Sequence, residues 1–233
     1  MYNFNPIILI IISLTTCFLL SEICIKKNIF SDNNIGVQKL HTANAIRIGG
    51  FSIWLTSFSI AFFSLSNNYL IIFLCIVPAL LIGLIEDFIN NISISLRLSF
   101  TFLSALALVI FSDASLNNID IEWFNSLIQI TFIGVLISAI GVTVTANAWN
   151  FIDGLNGLAS GIAIQALGAI SILSYLDKNY ELSAITFIII CSILGFFLLN
   201  IFTGKIFLGD SGSYILGLLV AWAGLELTKN SDQ

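Results

Sequence analysis

Two adjacent carboxylates, Glu86 and Asp87, follow an apolar stretch that begins near Tyr69. Hard cations such as Mg²⁺ prefer carboxylate, amide and water oxygens as ligands. The pair is therefore a candidate metal site if neighbouring loops supply further oxygen ligands. Ordinary acids at a membrane interface are the alternative.

Amide side chains in a second segment offer such oxygens. Asn147, Asn150 and Asp153 are spaced by three residues, which places them on one face of a helical end. The Asp-Gly and Asn-Gly steps that follow are turn signals, and they lead into a helix whose N-terminus would suit an anion. A plain capped turn is the alternative, but a turn does not require the two upstream asparagines.

A glycine-rich segment from Phe207 to Ser213 is the third candidate. Its glycines permit close approach of the backbone to a ligand. Asp210 either caps the next helix or binds a metal. Phe207 can stack on a flat ring, although an aromatic residue at the end of a span is also a common interfacial anchor.

Basic residues Lys39, His41 and Arg47 precede a pair of glycines in the first long polar segment. Such cations, followed by glycines that open a helix, suit a diphosphate or a lipid phosphate. The alternative is a topological signal, because basic loops are retained in the cytoplasm. His41 is the only histidine, which excludes a zinc site built on histidines.

The composition indicates what must position these residues. The chain has 233 residues, of which 58% are hydrophobic and 9% charged, and its mean hydropathy is +1.04. Soluble domains carry about 25% charged residues, so a single integral membrane domain over residues 1–233 is predicted. The net charge of −5 provides no basic face for nucleic acid. The four cysteines all lie in apolar runs and indicate neither disulfides nor a zinc site.

Apolar segments of membrane-spanning length predict an all-α, polytopic helix bundle with about eight spans. The approximate bounds of the predicted spans are Ile7–Ile25, Ile48–Ser66, Tyr69–Ile85, Leu96–Phe111, Leu127–Ala146, Leu158–Tyr175, Ala184–Phe202 and Tyr214–Leu227.

The distribution of lysine and arginine predicts the orientation. One set of alternate loops holds Lys26, Lys27, Lys39, Arg47, Arg97 and Lys205, and the other holds Lys178 and Lys229. The N-terminus is therefore expected outside the plasma membrane. All of the candidate motifs then fall on the cytoplasmic side.

The ordered motifs resemble those of the polyprenyl-phosphate N-acetylhexosamine-1-phosphate transferases, the glycosyltransferase family 4 that includes phospho-N-acetylmuramoyl-pentapeptide transferase. The resemblance covers residues 39–217. The matching motifs are Lys39-x-His41 with Arg47-x-Gly49-Gly50, Glu86-Asp87, Asn147-x-x-Asn150-x-x-Asp153-Gly154-x-x-Gly157-Leu158, and Gly209-Asp210-x-Gly212-Ser213 with Leu216-Gly217.

This resemblance implies an enzyme that transfers N-acetylhexosamine-1-phosphate from a UDP-sugar to undecaprenyl phosphate and releases UMP. Such a reaction initiates cell-envelope polysaccharide or peptidoglycan lipid intermediates. The resemblance also implies Mg²⁺ or Mn²⁺ as the cofactor, with Asp210 as the principal metal ligand and Asn150 as a second. The residues implied to line the uridine pocket are Asn150, Asp153, Gly154, Leu155 and Phe207.

By the same resemblance, Asp87 would lie beside the acceptor phosphate and Lys39 would face the diphosphate. Glu86, Asn147, His41 and Arg47 complete the expected site. A lipid phosphate is largely dianionic at neutral pH, because its second pKa is about 6. A base role for Asp87 is therefore a hypothesis that the chemistry does not require.

Three departures from the family pattern qualify these expectations. Glu86 stands where the family usually has aspartate, and Ile46 where it usually has proline. The sequence also stops at Gln233, before the further spans and histidine-containing loop of the family, so a truncated chain is expected. An inactive or regulatory fragment is an alternative function. A small transporter is less favoured, because the polar clusters lie at span ends rather than mid-span. The sequence leaves open the identity of the sugar, the polymer pathway and the formation of a homodimer.

Overall fold

The computed structural model describes residues 5–27, 29–30, 45–64, 67–116, 118–119 and 121–231. Helices account for most of them, which confirms the all-α prediction. The helices are α1 Pro6–Lys27, α2 Gly49–Ser64, α3 Asn67–Cys75, α4 Val77–Ile89, α5 Ile94–Ser112, α6 Glu122–Ile128, α7 Thr131–Ile152, α8 Leu158–Leu176, α9 Tyr180–Thr203 and α10 Gly209–Ser231. Two short strands, β1 Ile46–Arg47 and β2 Ile206–Phe207, complete the described elements.

Seven segments of the described chain are apolar and long enough to cross a membrane. The segment Tyr69–Ile89, which joins most of α3 to α4, counts as one of them, and α2 with 16 residues is shorter. Large apolar side chains face outward, such as Phe151 at 90% exposure and Phe63 at 85%. Lipid rather than water is the solvent in which such a surface is stable. The chain is a multi-pass membrane helix bundle.

The predicted fifth span, approximately Leu127–Ala146, differs from the structure at both ends. Leu127 belongs to the separate short helix α6, and the chain is extended at Ile130 before α7 begins. A side chain at Gly134 would lie 2.5 Å from the carbonyl oxygen of Ile128, so this glycine allows α6 to fold back against α7. At its other end, α7 continues to Ile152. Both asparagines of the second motif are therefore helical.

The predicted third span, Tyr69–Ile85, also differs, because α4 continues to Ile89 and the segment is interrupted at Ile76. Pro78 has no N–H to donate to the carbonyl of Leu74, four residues earlier, so regular helical hydrogen bonding is lost at this point. Trp54 donates its indole N–H to the carbonyl of Phe73 at 2.9 Å. The longer α4 carries Glu86 and Asp87 in its last turn rather than in a loop.

Helix α10 lies at the centre of the bundle, where it packs against α7, α4, α8, α2 and α5. Small residues allow the closest approaches. A Cβ on Gly50 would lie 2.2 Å from the backbone of Gly212, and one on Gly83 would lie 2.3 Å from the Cα of Ser211. The beginnings of α2 and α10 and the end of α4 therefore meet at one end of the bundle.

A short parallel ladder, which the sequence did not predict, joins the same region. Ile46 pairs with Ile206, and Arg47 pairs with Phe207. The amide of Gly50 extends the connection by donating to the carbonyl of Leu208 at 2.9 Å. The ladder therefore fixes the backbone before α2 to the backbone before α10.

Candidate functional site

The carboxylate of Asp87 accepts hydrogen bonds from the beginning of α10. Its Oδ1 accepts from the amide of Asp210 at 2.8 Å, and its Oδ2 accepts from the amide and hydroxyl of Ser211 at 3.1 and 2.8 Å. The first amides of a helix have no partner within the helix and attract negative charge. Asp87 is only 2% exposed. Its observed contacts attach the end of α4 to the beginning of α10.

Gly209 makes this contact possible. Its φ of +76° lies in the left-handed region, and a Cβ there would lie 2.5 Å from Oδ2 of Asp87. Only glycine combines that backbone conformation with so close an approach. The acceptor at the beginning of α10 is therefore Asp87, and the alternative in which Asp210 itself caps the helix is wrong.

Asp210 instead directs its carboxylate toward Arg97, at the beginning of α5. The guanidinium Nη1 of Arg97 lies 3.3 Å from Oδ2 of Asp210 and 3.6 Å from Oε1 of Glu86. The other carboxylate oxygen of Glu86 accepts from the amide of Ile92 at 2.8 Å. Arg97 therefore lies between two acids from different helices and offsets their charge.

A cavity of about 330 Å³ opens beside Asp210. We call it the Asp210 cavity. Its walls come from β1, the end of α7, the turn before α8, the end of α9 and the segment from β2 into α10. The lining residues are Arg47, Asn150, Asp153, Gly154, Leu155, Asn156, Gly157, Ser160, Phe196, Asn200, Phe207, Leu208, Gly209 and Asp210.

Asn150 is fixed to α10 at the edge of this cavity. Its amide nitrogen donates to Oγ of Ser213 at 2.8 Å, and that hydroxyl donates to the carbonyl of Asp210 at 3.0 Å. This hydrogen bond fixes the orientation of the amide group. The amide oxygen of Asn150 is then the atom that can bind a cation. Asn150 and Asp210 thus offer two oxygen donors within one lining.

The charged side chains of the lining are those of Arg47, Asp153 and Asp210. Arg47 also donates to Oδ1 of Asn90 at 3.0 Å. Burial and, to a smaller extent, the negative charge of Asp210 raise the pKa of Asp153, the charge of Arg47 lowers it, and the net result is a pKa of about 7. Two carboxyl groups and one guanidinium therefore share the space, an arrangement that favours a bound cation.

The predicted site residues divide into three groups. Those that line the Asp210 cavity are Arg47, Asn150, Asp153, Gly154, Leu155, Phe207 and Asp210. Glu86, Asp87 and Asn147 do not line it, although the first two contact groups that position Asp210. Lys39 and His41 lie outside the described residues.

Asn147 was expected to share its face with Asn150 and point to the same ligand. Its amide nitrogen instead donates to the carbonyl of Thr143 at 2.8 Å and to Oγ1 of Thr101 at 3.2 Å. These contacts join α7 to α5. A binding role for Asn147 stays a prediction.

Sequence reasoning missed Arg97, Asn200, Ser211 and Ser213. Arg97 was counted only as a topological cation, yet it is the only charged residue of α5, which was a usable signal. Asn200 is 3% exposed and donates to the carbonyl of Ile206 at 2.7 Å. The two serines belong to a motif that was interpreted through its glycines and its aspartate.

No group of three or more His, Cys, Asp or Glu side chains among the described residues could hold a metal ion alone. Mg²⁺ does not require one, because it is commonly held by one or two carboxylates together with substrate phosphates and water. The carboxylate of Asp210 and the amide oxygen of Asn150 fit that mode of binding.

The decisive comparison covers most of the chain. Residues 69–228 match the family described as glycosyl transferase family 4. The chain belongs to this family. The matched range includes Glu86-Asp87, the asparagine motif and the Gly209–Ser213 segment, so three of the four motifs identified from the sequence lie within it.

Three curated relatives show the extent of the similarity. A phospho-N-acetylmuramoyl-pentapeptide-transferase of Staphylococcus carnosus (strain TM300) is 29% identical over 184 residues, which cover 74% of this chain and 57% of the relative. One of Staphylococcus haemolyticus (strain JCSC1435) is 30% identical over 191 residues, or 76% and 60%. An undecaprenyl-phosphate alpha-N-acetylglucosaminyl 1-phosphate transferase of Escherichia coli (strain K12) is 25% identical over 222 residues, or 92% and 60%. The chain spans about three-fifths of the length of these relatives.

Proposed function

We propose that this chain transfers N-acetylhexosamine-1-phosphate from a UDP-sugar, UDP-N-acetylglucosamine or a related sugar, to undecaprenyl phosphate and releases UMP. Family membership supports this class of reaction. The relatives' names specify either a phospho-N-acetylmuramoyl-pentapeptide or an N-acetylglucosaminyl 1-phosphate group. The Asp210 cavity is the observation that carries the proposal.

The lining of this cavity suits a nucleotide. Phe207 offers an aromatic ring, Gly154 leaves its surroundings open, with no atom within 4 Å of a Cβ built there, and Asn150 offers an amide. Aromatic stacking and hydrogen bonds to an amide or to the backbone are common means of holding a flat polar base. Arg47 supplies a positive charge in the same cavity for a diphosphate.

A divalent cation, Mg²⁺ or Mn²⁺, is the proposed cofactor. An anionic diphosphate in a cavity that already contains Asp153 and Asp210 would meet like charges, which Arg47 offsets in part. Arg97 also faces Asp210, but it is shared with Glu86. Asp210 and Asn150 would hold the ion. When bound, it would neutralise charge that develops on the phosphate oxygens.

In the proposed reaction, an oxygen of the acceptor phosphate attacks the β-phosphorus of the donor. The new P–O bond forms as the bond between the β-phosphorus and the bridging oxygen breaks, and UMP leaves with that oxygen. A dianionic acceptor and a dianionic UDP-sugar give a dianionic UMP and a dianionic lipid diphosphate that carries the sugar. The charges balance without proton transfer, so no general base is required.

We propose that Asp87 is a positioning residue in this reaction. Its three hydrogen bonds hold the amides of Asp210 and Ser211, which fixes the first turn of α10. The carboxylate of Asp210 follows from that backbone position. Arg97 then sets the direction of the same carboxylate through its contact at 3.3 Å.

The orientation of the chain is part of the proposal. The distribution of lysine and arginine supports an active face on the cytoplasmic side of the plasma membrane, with the N-terminus outside. UDP-sugars would then reach the Asp210 cavity from the cytoplasm. The lipid acceptor would reach it from the bilayer.

The test is UMP release by the purified chain in nanodiscs, with UDP-N-acetylglucosamine, undecaprenyl phosphate and Mg²⁺. The critical variant is Asp210→Asn, which keeps the shape of the side chain and removes its charge. Asp177→Asn is the matched control, because Asp177 is an exposed acid after α8. Mass spectrometry of the lipid product would identify the transferred group.

We expect UMP and lipid diphosphate in equal amounts, at least about 100-fold less of both from Asp210→Asn, and normal turnover from Asp177→Asn. Undiminished turnover by Asp210→Asn would contradict the proposed metal ligand. Complete silence of the folded wild-type chain with several UDP-sugars would reject the catalytic proposal and support the alternative of an inactive or regulatory protein.

A further inference from the structure

A second cavity of about 280 Å³ lies at the end of the bundle opposite the Asp210 cavity. We call it the Glu226 cavity. The beginnings of α3 and α9 and the ends of α5 and α10 meet there. The lining residues are Tyr69, Ile72, Phe111, Ser112, Glu181, Trp222 and Glu226.

Two buried polar atoms of the residues in this lining have no hydrogen-bond partner within the described part of the chain. They are Nε1 of Trp222, whose side chain belongs to a residue that is 1% exposed, and Oε2 of Glu226, in a residue that is 9% exposed. A buried donor or acceptor without a partner is costly, and a charged acceptor more so. Because both residues line the cavity, a ligand bound there is the candidate partner for this donor and this acceptor.

The charges around the cavity are unequal. Glu181 and Glu226 line it. Asp113 follows the lining residue Ser112, and its carboxylate lies 3.8 Å from Nζ of Lys229. The same ammonium donates to the carbonyl of Ser112 at 3.2 Å. Lys229 thus offsets one negative charge among the three acids Asp113, Glu181 and Glu226. A cationic group in the cavity would therefore be electrostatically favoured.

Aromatic rings add to this preference. Tyr69 and Trp222 are in edge-to-face contact, with centroids 6.3 Å apart and planes at 71°, and Phe111 lines the same cavity. The faces of such rings attract cations. A carboxylate together with aromatic faces is a suitable environment for an ammonium group.

We propose that the Glu226 cavity binds a phosphoethanolamine group, carried by an aminophospholipid. The ammonium would donate to Oε2 of Glu226, and a phosphate oxygen would accept from Nε1 of Trp222 and face Lys229. One zwitterionic group would thus satisfy both unpartnered atoms. The cavity lies at helix ends, the depth at which phospholipid head groups meet membrane proteins.

The experiment is native mass spectrometry of the purified chain, titrated with phosphatidylethanolamine, phosphatidylcholine and phosphatidylglycerol of identical acyl chains. Phosphatidylcholine has the same charges but no N–H donor, and phosphatidylglycerol has no cation. We expect phosphatidylethanolamine to bind about tenfold more tightly than either, the size of effect that one charge-assisted hydrogen bond supports.

Two variants test the two ends of the ligand. Glu226→Gln removes the charge, and Trp222→Phe removes the indole N–H while keeping an aromatic ring. Each should weaken phosphatidylethanolamine binding about tenfold and leave phosphatidylglycerol binding unchanged. Glu122→Gln is the matched control, because Glu122 is an exposed acid of α6 that does not line the cavity. It should bind like the wild type.

Equal affinity for the three lipids would overturn the proposal, as would phosphatidylethanolamine binding that survives both variants. Competition with free phosphoethanolamine distinguishes recognition of the head group alone from recognition of the whole phospholipid. Displacement of the lipid by millimolar phosphoethanolamine would show that the head group alone carries the recognition. Failure of that displacement, with lipid selectivity retained, would show that the acyl chains contribute as well. Thermal unfolding curves of each variant check that the fold is intact.

Discussion

Replacement of Asp87 by alanine should destabilise the bundle at the beginning of α10. The substitution leaves two backbone N–H groups, that of the part-buried Asp210 and that of the buried Ser211, without the acceptor that Asp87 provides. Each such orphaned donor costs about 1–3 kcal/mol. The hydroxyl of Ser211 can rotate to another acceptor and is not counted. The expected loss is therefore about 2–6 kcal/mol, reduced in part because a buried carboxylate is no longer desolvated.

Asp87→Asn is the informative companion. It retains one oxygen acceptor, so it should lose less stability than alanine. Its amide nitrogen would nevertheless face a backbone N–H, where Asp87 presents oxygens to the amides of both Asp210 and Ser211. The order of stability should be wild type, then asparagine, then alanine.

The assay is thermal unfolding in detergent, followed by intrinsic fluorescence and by aggregation, with the free energy from reversible denaturant unfolding. At the lower limit of 2 kcal/mol, the alanine variant should unfold about 4–8 °C below the wild type. An Asp87→Ala protein that unfolds at the wild-type temperature would refute the positioning argument. Loss of activity with a normal unfolding curve would instead support a direct role in chemistry.

Three further predictions concern the same region. Gly209→Ala should lower the unfolding temperature by several degrees, because the added Cβ would lie 2.5 Å from a carboxylate oxygen of Asp87 at a φ of +76°. Asp153→Asn should flatten the pH dependence of stability in EDTA. Burial and the charge of Asp210 raise the native pKa of Asp153 to about 7, above its ordinary value of 3.8, so the wild type should lose stability as the pH rises through that window. Arg97→Met should lower the Mg²⁺ concentration for half-maximal UMP release by at least about threefold, because it removes a cation 3.3 Å from Asp210.

Matched controls separate these effects from general destabilisation. Gly224→Ala places a methyl group in open space within α10 and should stabilise the chain by about 0.5–1 kcal/mol. Asp177→Asn, at an exposed position, should leave the pH dependence unchanged. A rise in the required Mg²⁺ for Arg97→Met, or a pH profile of Asp153→Asn that matches the wild type, would contradict the corresponding prediction.

Most of the architecture was predictable because bilayer thickness sets the length of an apolar span. The interruption at Ile76 and the separation of α6 from α7 could not be predicted from the sequence. The segment from Leu127 to Ala146 is continuously apolar apart from a few small or polar residues, and its division depends on how Gly134 packs against Ile128. Such tertiary contacts leave little trace in the hydropathy of one segment.

The candidate site was predictable to a similar degree. Asn150, Asp153 and Asp210 were chosen from their types and spacing, and all three line one cavity. The contacts of Asp87 were not predicted, because an acid at a helix end has the same sequence pattern whether it binds a metal or another helix. Arg97 was overlooked for a related reason, since one cation near the beginning of a span also serves as a topological signal.

The hydrogen bond between Asp87 and Asp210 has a consequence for biosynthesis, because its partners are 123 residues apart in the chain. At about 5–20 residues per second, a ribosome needs about 6–25 s to advance from one to the other. Through that interval, water or the translocation machinery must satisfy the Asp87 carboxylate, although Glu86 on the same helix end can already contact Arg97 of α5. The Asp210 cavity therefore assembles late, because the nine described helices that precede α10 are all synthesised before its central helix.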